Sequence, residues 1–573
     1  MKITLARHSG FCMGVRNAVL RIISEINSTD ENLYVYGPLI HNPQTVDVLH
    51  GRGLSTINSL DAIANRRIAI RTHGIPVDEL RMVKQCASRV INLTCPRVAR
   101  VQSIIKKHSA GGSHTIITGD RDHAEVIGLM SYAAHGVSVI SDLPETDSIP
   151  PADSYILVSQ TTFDRELYKR IVSRVQSTLK NVTVFDTICD STRLRQEDVV
   201  VGITAGTDTL VVVGGKNSAN TRRLAQIGRD SGIATFHIET EDELQEKDFS
   251  GSRNVLVTAG TSTPGWIINN ILEKIYTIKY MRSNIFVRAA LFMLEFIVRT
   301  NILSAIAAYF ITLFTMLYTG LPDDHALAAV SLLYIFSIYS TNNYFEKKFL
   351  KLSNPYKYRI YRRFGLPLLI ASIISMAVSI IISLRYGTVP TMVITGSYLM
   401  GFIYSTAPVK LMVKKMKAGI IRRLYNSKLV TCFGWIIVTV LLPQIALATG
   451  SAAPAALSFL VFGLIFLRTA ILDLIAYQGD LILGRETLPI WIGTANTRTV
   501  STTAGALGVL VFSVITVLTA SPLYLLPVLN IVYFLLLMSV INRLNYLIAL
   551  KYELLVDVNF ILLILFYFIL RLT

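Results

Sequence analysis

Along the first half of the chain, short β-branched runs alternate with stretches whose apolar positions recur every three or four residues. The runs include "RRIAI" (66–70), "HTIIT" (114–118), "TLVVVGG" (209–215) and "NVLVT" (254–258), each followed by a polar turn and a helix-period segment. Repeated alternation of this kind predicts α/β units with parallel sheets. Turns at the carboxyl ends of such strands are the usual place for a ligand. From about residue 285 the alternation gives way to long apolar stretches. Nine of them read as membrane spans, near 300–320, 326–342, 365–384, 389–406, 428–446, 453–475, 499–518, 522–540 and 556–572. The segment 285–298 carries Arg288 and Glu295 and reads as an interfacial helix.

The loops orient these spans. Loop 343–364 holds Lys347, Lys348, Lys351, Lys357, Arg359, Arg362 and Arg363, and loop 405–428 is equally basic. The opposite loops, 320–325, 385–389, 447–453 and 519–521, offer only Arg385. The positive-inside rule therefore places the basic loops and the N-terminal half in the cytoplasm, and the C-terminus on the other side. The start, MKITLARHSG, lacks the apolar core of a secretory signal.

Composition fits this division. Apolar residues make up 51% of the 573, too many for an ordinary soluble protein. The net charge of +17 raises nucleic acid as a partner. Its concentration in loops between spans argues against that. Five cysteines are too few for a disulfide framework, and a cytoplasmic setting keeps thiols free to bind metal.

Three of the five sit far apart: Cys12 in "GFCMGVRNA", Cys95 in "NLTCPRV" and Cys189 in "DTICDSTRLRQ". No C-x-x-C pair of the zinc-ribbon or ferredoxin type occurs. Three separated thiolates can still meet at the centre of a three-part fold and hold three irons of a cluster. Three buried, inert cysteines are the competing reading, and composition leaves both open.

The surrounding fragments narrow the choice. "GFCMGV", "HNPQTVDVL" (41–49), "RTHGIP" (71–76), "TCPRV", "HAEVIG" (123–128), "VSQTT" (158–162), "ICDSTRLRQ", "GGKNSANTRRL" (214–224) and "TAGTSTP" (258–264) occur in one order. Together they resemble the 4-hydroxy-3-methylbut-2-enyl diphosphate reductase (LytB) family, from residue 1 to about 275. The resemblance implies three similar α/β lobes around a 4Fe–4S cluster held by Cys12, Cys95 and Cys189, with Cys86 and Cys432 structural. It implies an allylic diphosphate substrate bound by His41, His73, His123, Thr161, Ser218, Asn220 and Ser262. Glu125 becomes the general acid, assisted by His123 and Thr161. The expected activity is reductive removal of the allylic hydroxyl to give isopentenyl and dimethylallyl diphosphate. No flavin or nicotinamide fingerprint is visible, so a ferredoxin or flavodoxin is the expected electron donor. The sequence departs from the family pattern at Ala219, where a second serine is usual, and at Asn17 and Ala124.

After an expected linker, 276–285, residues 286–573 carry "NNYFEKKFLKLSNP" (342–355), "YSTAPVKL" (404–411) and "DLIAYQGDLILGRETLPIWIG" (473–493). These stretches resemble the UbiA-type prenyltransferases, which bind a prenyl diphosphate through Mg²⁺ held by two Asp-rich motifs. Hard Mg²⁺ favours oxygen ligands and bridges phosphates. The first motif has no aspartate here, with Asn342, Asn343, Glu346 and Leu350 at its positions. The second keeps Asp473 and Asp480 around Ala476. Asn343, Glu346, Asp473 and Asp480 remain a candidate Mg²⁺ site, with Lys410 and Arg359 as candidate phosphate contacts. The sequence leaves open a transferase with an unknown acceptor and a lipid-embedded anchor. The expected architecture is a three-lobed α/β domain followed by an all-α polytopic domain of about nine helices. A membrane-tethered iron–sulfur sensor is the alternative to an enzyme, and a transporter with a soluble regulatory domain is a third.

Overall fold

The computed structural model describes residues 1–572 except 30, 41, 283, 406–427, 448–452, 484–486, 520, 521 and 544–552. The chain divides into two units, Met1–Lys279 and Tyr280–Thr573. The helix Gly265–Met281, anchored by buried Ile275 and Ile278, runs into the stretch 276–285 expected as a linker.

Among its described residues the first unit has twelve strands: β1 Lys2–Leu5, β2 Leu33–Tyr36, β3 Leu54–Ile57, β4 Arg67–Ile70, β5 Arg89–Asn92, β6 His114–Thr118, β7 Val137–Ile140, β8 Tyr155–Ser159, β9 Val182–Val184, β10 Thr209–Val213, β11 Ala234–Ile238 and β12 Asn254–Ala259. They form three four-stranded parallel sheets, ordered β3-β2-β4-β5, β7-β6-β8-β9 and β1-β12-β10-β11. Read from its own first strand, each sheet has the same arrangement: second, first, third, fourth. In the third lobe the fourth place is taken by β1, whose Leu5 lies opposite Val257. The beginning of the chain thus completes the lobe built by the end of the unit. Strands β4, β6, β8 and β10 are buried at every position, as strands covered on both faces must be.

The second unit is an all-α polytopic membrane domain. A helix occupies each of the nine expected spans: Ile302–Tyr318, His325–Phe345, Pro355–Ser383, Thr388–Ser405, Leu429–Leu447, Ala453–Leu483, Thr494–Thr519, Val528–Arg543 and Glu553–Leu572. Among the described residues, five helices are long and apolar enough to cross a membrane by themselves. The helix Ile285–Arg299 is separate and bends by 62° from Ile302–Tyr318. Its apolar residues from Ile285 to Leu294 are exposed, as suits a helix lying at an interface.

Burial separates a central helix from peripheral ones. The apolar window of Pro454–Tyr477 is 72% buried, against 22% for Pro355–Tyr386. On that outer helix Ser372, Ser375, Ser379 and Ser383 form a buried face, while Ile370, Ile373, Ile374 and Ile381 are exposed. The Ser372 carbonyl accepts from Ser337 (2.8 Å), and Ser379 meets the Tyr398 hydroxyl at 2.9 Å. Small polar residues between helices with aliphatic residues outside is the pattern that lipid as a solvent selects.

Candidate active site

Each lobe contributes one cysteine at the same topological place. Cys95 follows β5, Cys189 follows β9 and Cys12 follows β1, the fourth strand of each sheet. All three are N-cap residues, of the helices Met13–Ser28, Pro96–Ala110 and Asp190–Thr204. A second regularity ties the lobes together. The backbone N–H groups of Cys12, Cys95 and Cys189 donate to the carbonyls of Thr261, Thr72 and Thr161, at 3.0, 2.9 and 2.9 Å. Each of these threonines follows the third strand of its lobe. The cysteine loop and the threonine loop of every lobe are therefore hydrogen-bonded at the carboxyl edge of the sheet.

The three thiols lie close enough to interact electrostatically. Burial pushes Cys95 and Cys189 above the usual thiol range, and the neighbouring sulfurs push them further. A Cβ built on Gly14 would stand 2.6 Å from the Cys95 sulfur and 4.0 Å from that of Cys12. Among the described residues, no three His, Cys, Asp or Glu side chains are near enough to hold a single metal ion. Half-buried thiols that feel one another yet stand too far apart for one ion fit a polynuclear centre. Cys432 is buried in the second unit, whereas Cys86 is exposed.

Beside the cysteines runs a cleft of about 350 Å³, counting its open mouth. It is lined by His73, His123, Ser218, Asn220 and Ser262, and by Thr72, Thr162, Ala219 and Thr261. The rings of His73 and His123 meet edge to face at 5.5 Å. Asn220 is 1% exposed, and neither its amide nitrogen nor its oxygen has a hydrogen-bond partner among the described residues. A buried amide left in that state requires a ligand or water. Ser218 begins the helix Ala219–Asp230 without spending its hydroxyl on the helix end. Free N–H groups, a free hydroxyl and a free amide at one helix start suit an anion. Ala219 lines the same wall, so the hydroxyl missing at that position is missing from the cleft. His41 lies outside the described residues.

Glu125 and Thr161 sit beneath this lining. Glu125 is 1% exposed, and burial pushes its carboxyl up to about 7. Two hydrogen bonds from Thr161 oppose that rise: its N–H donates to Oε1 at 2.7 Å and its hydroxyl to Oε2 at 2.9 Å. The Glu125 N–H donates to Nδ1 of His123 at 3.1 Å, which fixes the tautomer: the His123 proton is on Nε2.

Sequence reasoning passed over three contributors. Thr72 and Thr261 fill the role Thr161 has in its own lobe, and lie inside quoted fragments that gave them no task. Arg195, in "ICDSTRLRQ", is a buried cation between the segments that carry Cys12 and Cys189.

In the second unit, Asp473 and Asp480 stand two turns apart on the helix Ala453–Leu483 and are 6% and 3% exposed. Asp473 faces Lys428 at 3.9 Å. Gly479 explains its place in the motif: a Cβ there would lie 2.6 Å from the Cα of Ser353. Only glycine lets the motif helix approach Lys347–Ser353 so closely. Asn343 donates from its amide nitrogen to the Tyr361 hydroxyl at 3.3 Å, and Glu346 closes the helix His325–Phe345. Among the described residues, Glu346, Asp473 and Asp480 do not come together as a group of three able to hold one ion. Arg359 is engaged by Glu295 at 3.0 Å. Lys410 and Gly484–Glu486 of "GRETLP" lie outside the described residues.

Comparison with known proteins gives these positions a context. The family model described as LytB protein matches residues 3–276. The 4-hydroxy-3-methylbut-2-enyl diphosphate reductase of Clostridioides difficile (strain 630) is 35% identical over 275 residues, 48% of this chain and 98% of its own. A solved structure of (E)-4-hydroxy-3-methyl-but-2-enyl diphosphate reductase is 34% identical, with a TM-score of 0.39, covering 48% of this chain and all of its own. A UbiA homologue from Archaeoglobus fulgidus, solved with GPP and Mg²⁺, is 13% identical with a TM-score of 0.35, covering 49% of this chain and all of its own.

Proposed function

Because the chain belongs, through residues 3–276, to the LytB protein family, we propose that its first unit reductively dehydroxylates 4-hydroxy-3-methylbut-2-enyl diphosphate. The products are isopentenyl and dimethylallyl diphosphate. The observation that carries this reading is the meeting of one cysteine from each lobe beside an anion-binding cleft and a buried acid.

Cys12, Cys95 and Cys189 would hold a 4Fe–4S cluster, which would supply electrons one at a time and Lewis-acid character. The chain's own residues do the rest. His41, His73, His123, Ser218, Asn220 and Ser262 receive the diphosphate, with histidine N–H, hydroxyl and amide donors matched to phosphate oxygens. Breaking the C–O bond takes one proton onto the departing oxygen, which leaves as water, while two electrons and a second proton are taken up by the allylic carbon skeleton. Glu125 is the proton source. An N–H can only donate, so Oε1 stays an acceptor and the acid's proton sits on Oε2. In the protonated acid the Thr161 hydroxyl, which donates to Oε2 of the ionised carboxylate at 2.9 Å, becomes the acceptor and has its own proton free to donate elsewhere. A carboxyl poised near neutrality is well matched to this task. Electrons arrive from a ferredoxin or flavodoxin.

The second unit, embedded in lipid, binds a prenyl diphosphate. Asp473 and Asp480 would supply hard oxygen ligands for Mg²⁺, which would neutralise the diphosphate. The basic stretches 343–364 and 405–428 face the cytoplasm, as does the reductase unit, and the C-terminus lies opposite. The fusion keeps five-carbon precursor synthesis at a membrane where prenyl chains are used. A second reading, an anchor that binds without transferring, is favoured by one observation: Asn343, Glu346 and Leu350 replace the first motif's aspartates.

The test is turnover by the full chain, prepared anaerobically, with a reduced one-electron donor. Both five-carbon diphosphates are expected, and Cys95→Ser removes them. An iron-loaded wild-type protein that leaves the substrate unchanged contradicts the proposal.

A further inference from the structure

Arg195 lies on the helix Asp190–Thr204 and is 4% exposed. Its guanidinium spans three backbone segments. Nε donates to the carbonyl of Ala259 at 3.3 Å and Nη2 to that of Gly10 at 2.5 Å. Nη1 donates to the Ser191 carbonyl at 2.8 Å and also to the Ser191 hydroxyl. Gly10 precedes Cys12 by two residues, Ser191 follows Cys189 by two, and Ala259 precedes by two the Thr261 carbonyl that receives the Cys12 N–H. The cation is thus clamped between two cysteine loops of different lobes.

All these acceptors are neutral. Among the described residues no carboxylate makes an ion pair with Arg195. Asp198, one turn along the helix, is occupied by His8, accepting from its N–H at 2.6 Å and facing its ring nitrogen at 3.0 Å. Burial weakens the guanidinium's hold on its proton, and the charges that oppose this most are the sulfurs of Cys12 and Cys189, ahead of Asp198. A buried cation without a paired anion is costly, and evolution tolerates it where a compensating charge is present. Three thiolates on one iron–sulfur core are such a charge.

We infer that Arg195 is a positioning residue whose fixed positive charge balances the anionic cluster and raises its reduction potential. This rests on the reading of Cys12, Cys95 and Cys189 as cluster ligands. Net charge near the core is one of the factors that set such potentials. The competing role is a neutral clasp, in which only the forked hydrogen bonds matter.

R195Q and R195K separate the two, because lysine keeps the charge and loses the fork. Iron content of the anaerobic wild-type full chain is measured first and tests the cluster reading by itself. Redox titrations followed by electron paramagnetic resonance then compare the three proteins. R195Q is expected to shift to a more negative midpoint potential, with R195K close to wild type. If R195Q sheds its iron, retention by R195K supports the charge role. Loss of iron from R195K, equal shifts in both variants, or no shift in R195Q overturns it.

Discussion

Thr161 holds both carboxyl oxygens of Glu125, one through its backbone N–H and the other through its hydroxyl. The carboxyl is fully buried, so the hydroxyl is its connection toward the cleft that Thr162 and His123 line. Replacing Glu125 with Gln keeps the shape and removes the transferable proton. Turnover is expected to fall by about 100-fold or more, the usual worth of a positioned acid. Iron content should stay at the wild-type level. An E125Q protein that retains full turnover would show that the proton comes from elsewhere.

The elevated carboxyl of Glu125 makes two pH predictions. In a pH–rate profile, turnover should decline above about pH 7 as the acid loses its proton. For stability the sign follows from linkage. Between about 4.5 and about 7 the folded protein holds a proton that the unfolded chain has released, so stability falls as pH rises through that window. The full effect is roughly 3 kcal/mol on the scale of 1.36 kcal/mol per pH unit. Denaturation of the apoprotein should therefore show E125Q gaining on wild type from pH 4.5 to 7 and levelling off above. A constant difference across that range would contradict the assignment.

Gly14 marks the closest approach of the first cysteine loop to the second. A methyl group there would sit 2.6 Å from the Cys95 sulfur, nearer than real Cβ contacts come. Gly14→Ala is expected to displace a ligand and lower iron content by more than half, while the circular dichroism of the sheets persists. Wild-type iron content in G14A would mean that the two loops have room to separate.

In the membrane unit, Asp473→Asn with Asp480→Asn should weaken Mg²⁺-dependent retention of a labelled prenyl diphosphate by about tenfold or more, since even outer-shell partners of metals count for that much. Reductase turnover should be unchanged in the same protein. Retention that is indifferent to both carboxylates would contradict their role as Mg²⁺ ligands.

Much of this was legible in the sequence because it is written locally. The strand "HTIIT" became β6, and each apolar stretch carries a helix among the described residues, because burial in protein or lipid demands continuous apolar residues whatever surrounds them. Glu125 and the cysteines stood out through neighbouring motifs. What stayed hidden depends on segments that meet only after folding. The recurrence of one strand order in three lobes shows only in the strand pairings, and β1 joins β12 across the whole length of the unit. Arg195 looks like any helical arginine until Gly10 and Ala259 fold over it. Gly14 and Gly479 reveal their purpose only through Cys95 and Ser353. The candidate Mg²⁺ residues were grouped by motif, but Asn343 turns to Tyr361.

The most direct test of the central claim is the iron content of the anaerobically prepared full chain and of five single Cys→Ser variants. The account predicts about four irons per chain in the wild type, as one 4Fe–4S core requires. Cys12→Ser, Cys95→Ser and Cys189→Ser should each lose the cluster, and Cys86→Ser and Cys432→Ser should keep it. Retention of all the iron after loss of any one of the first three, or loss of it through Cys86 or Cys432, would contradict a single centre shared by the three lobes.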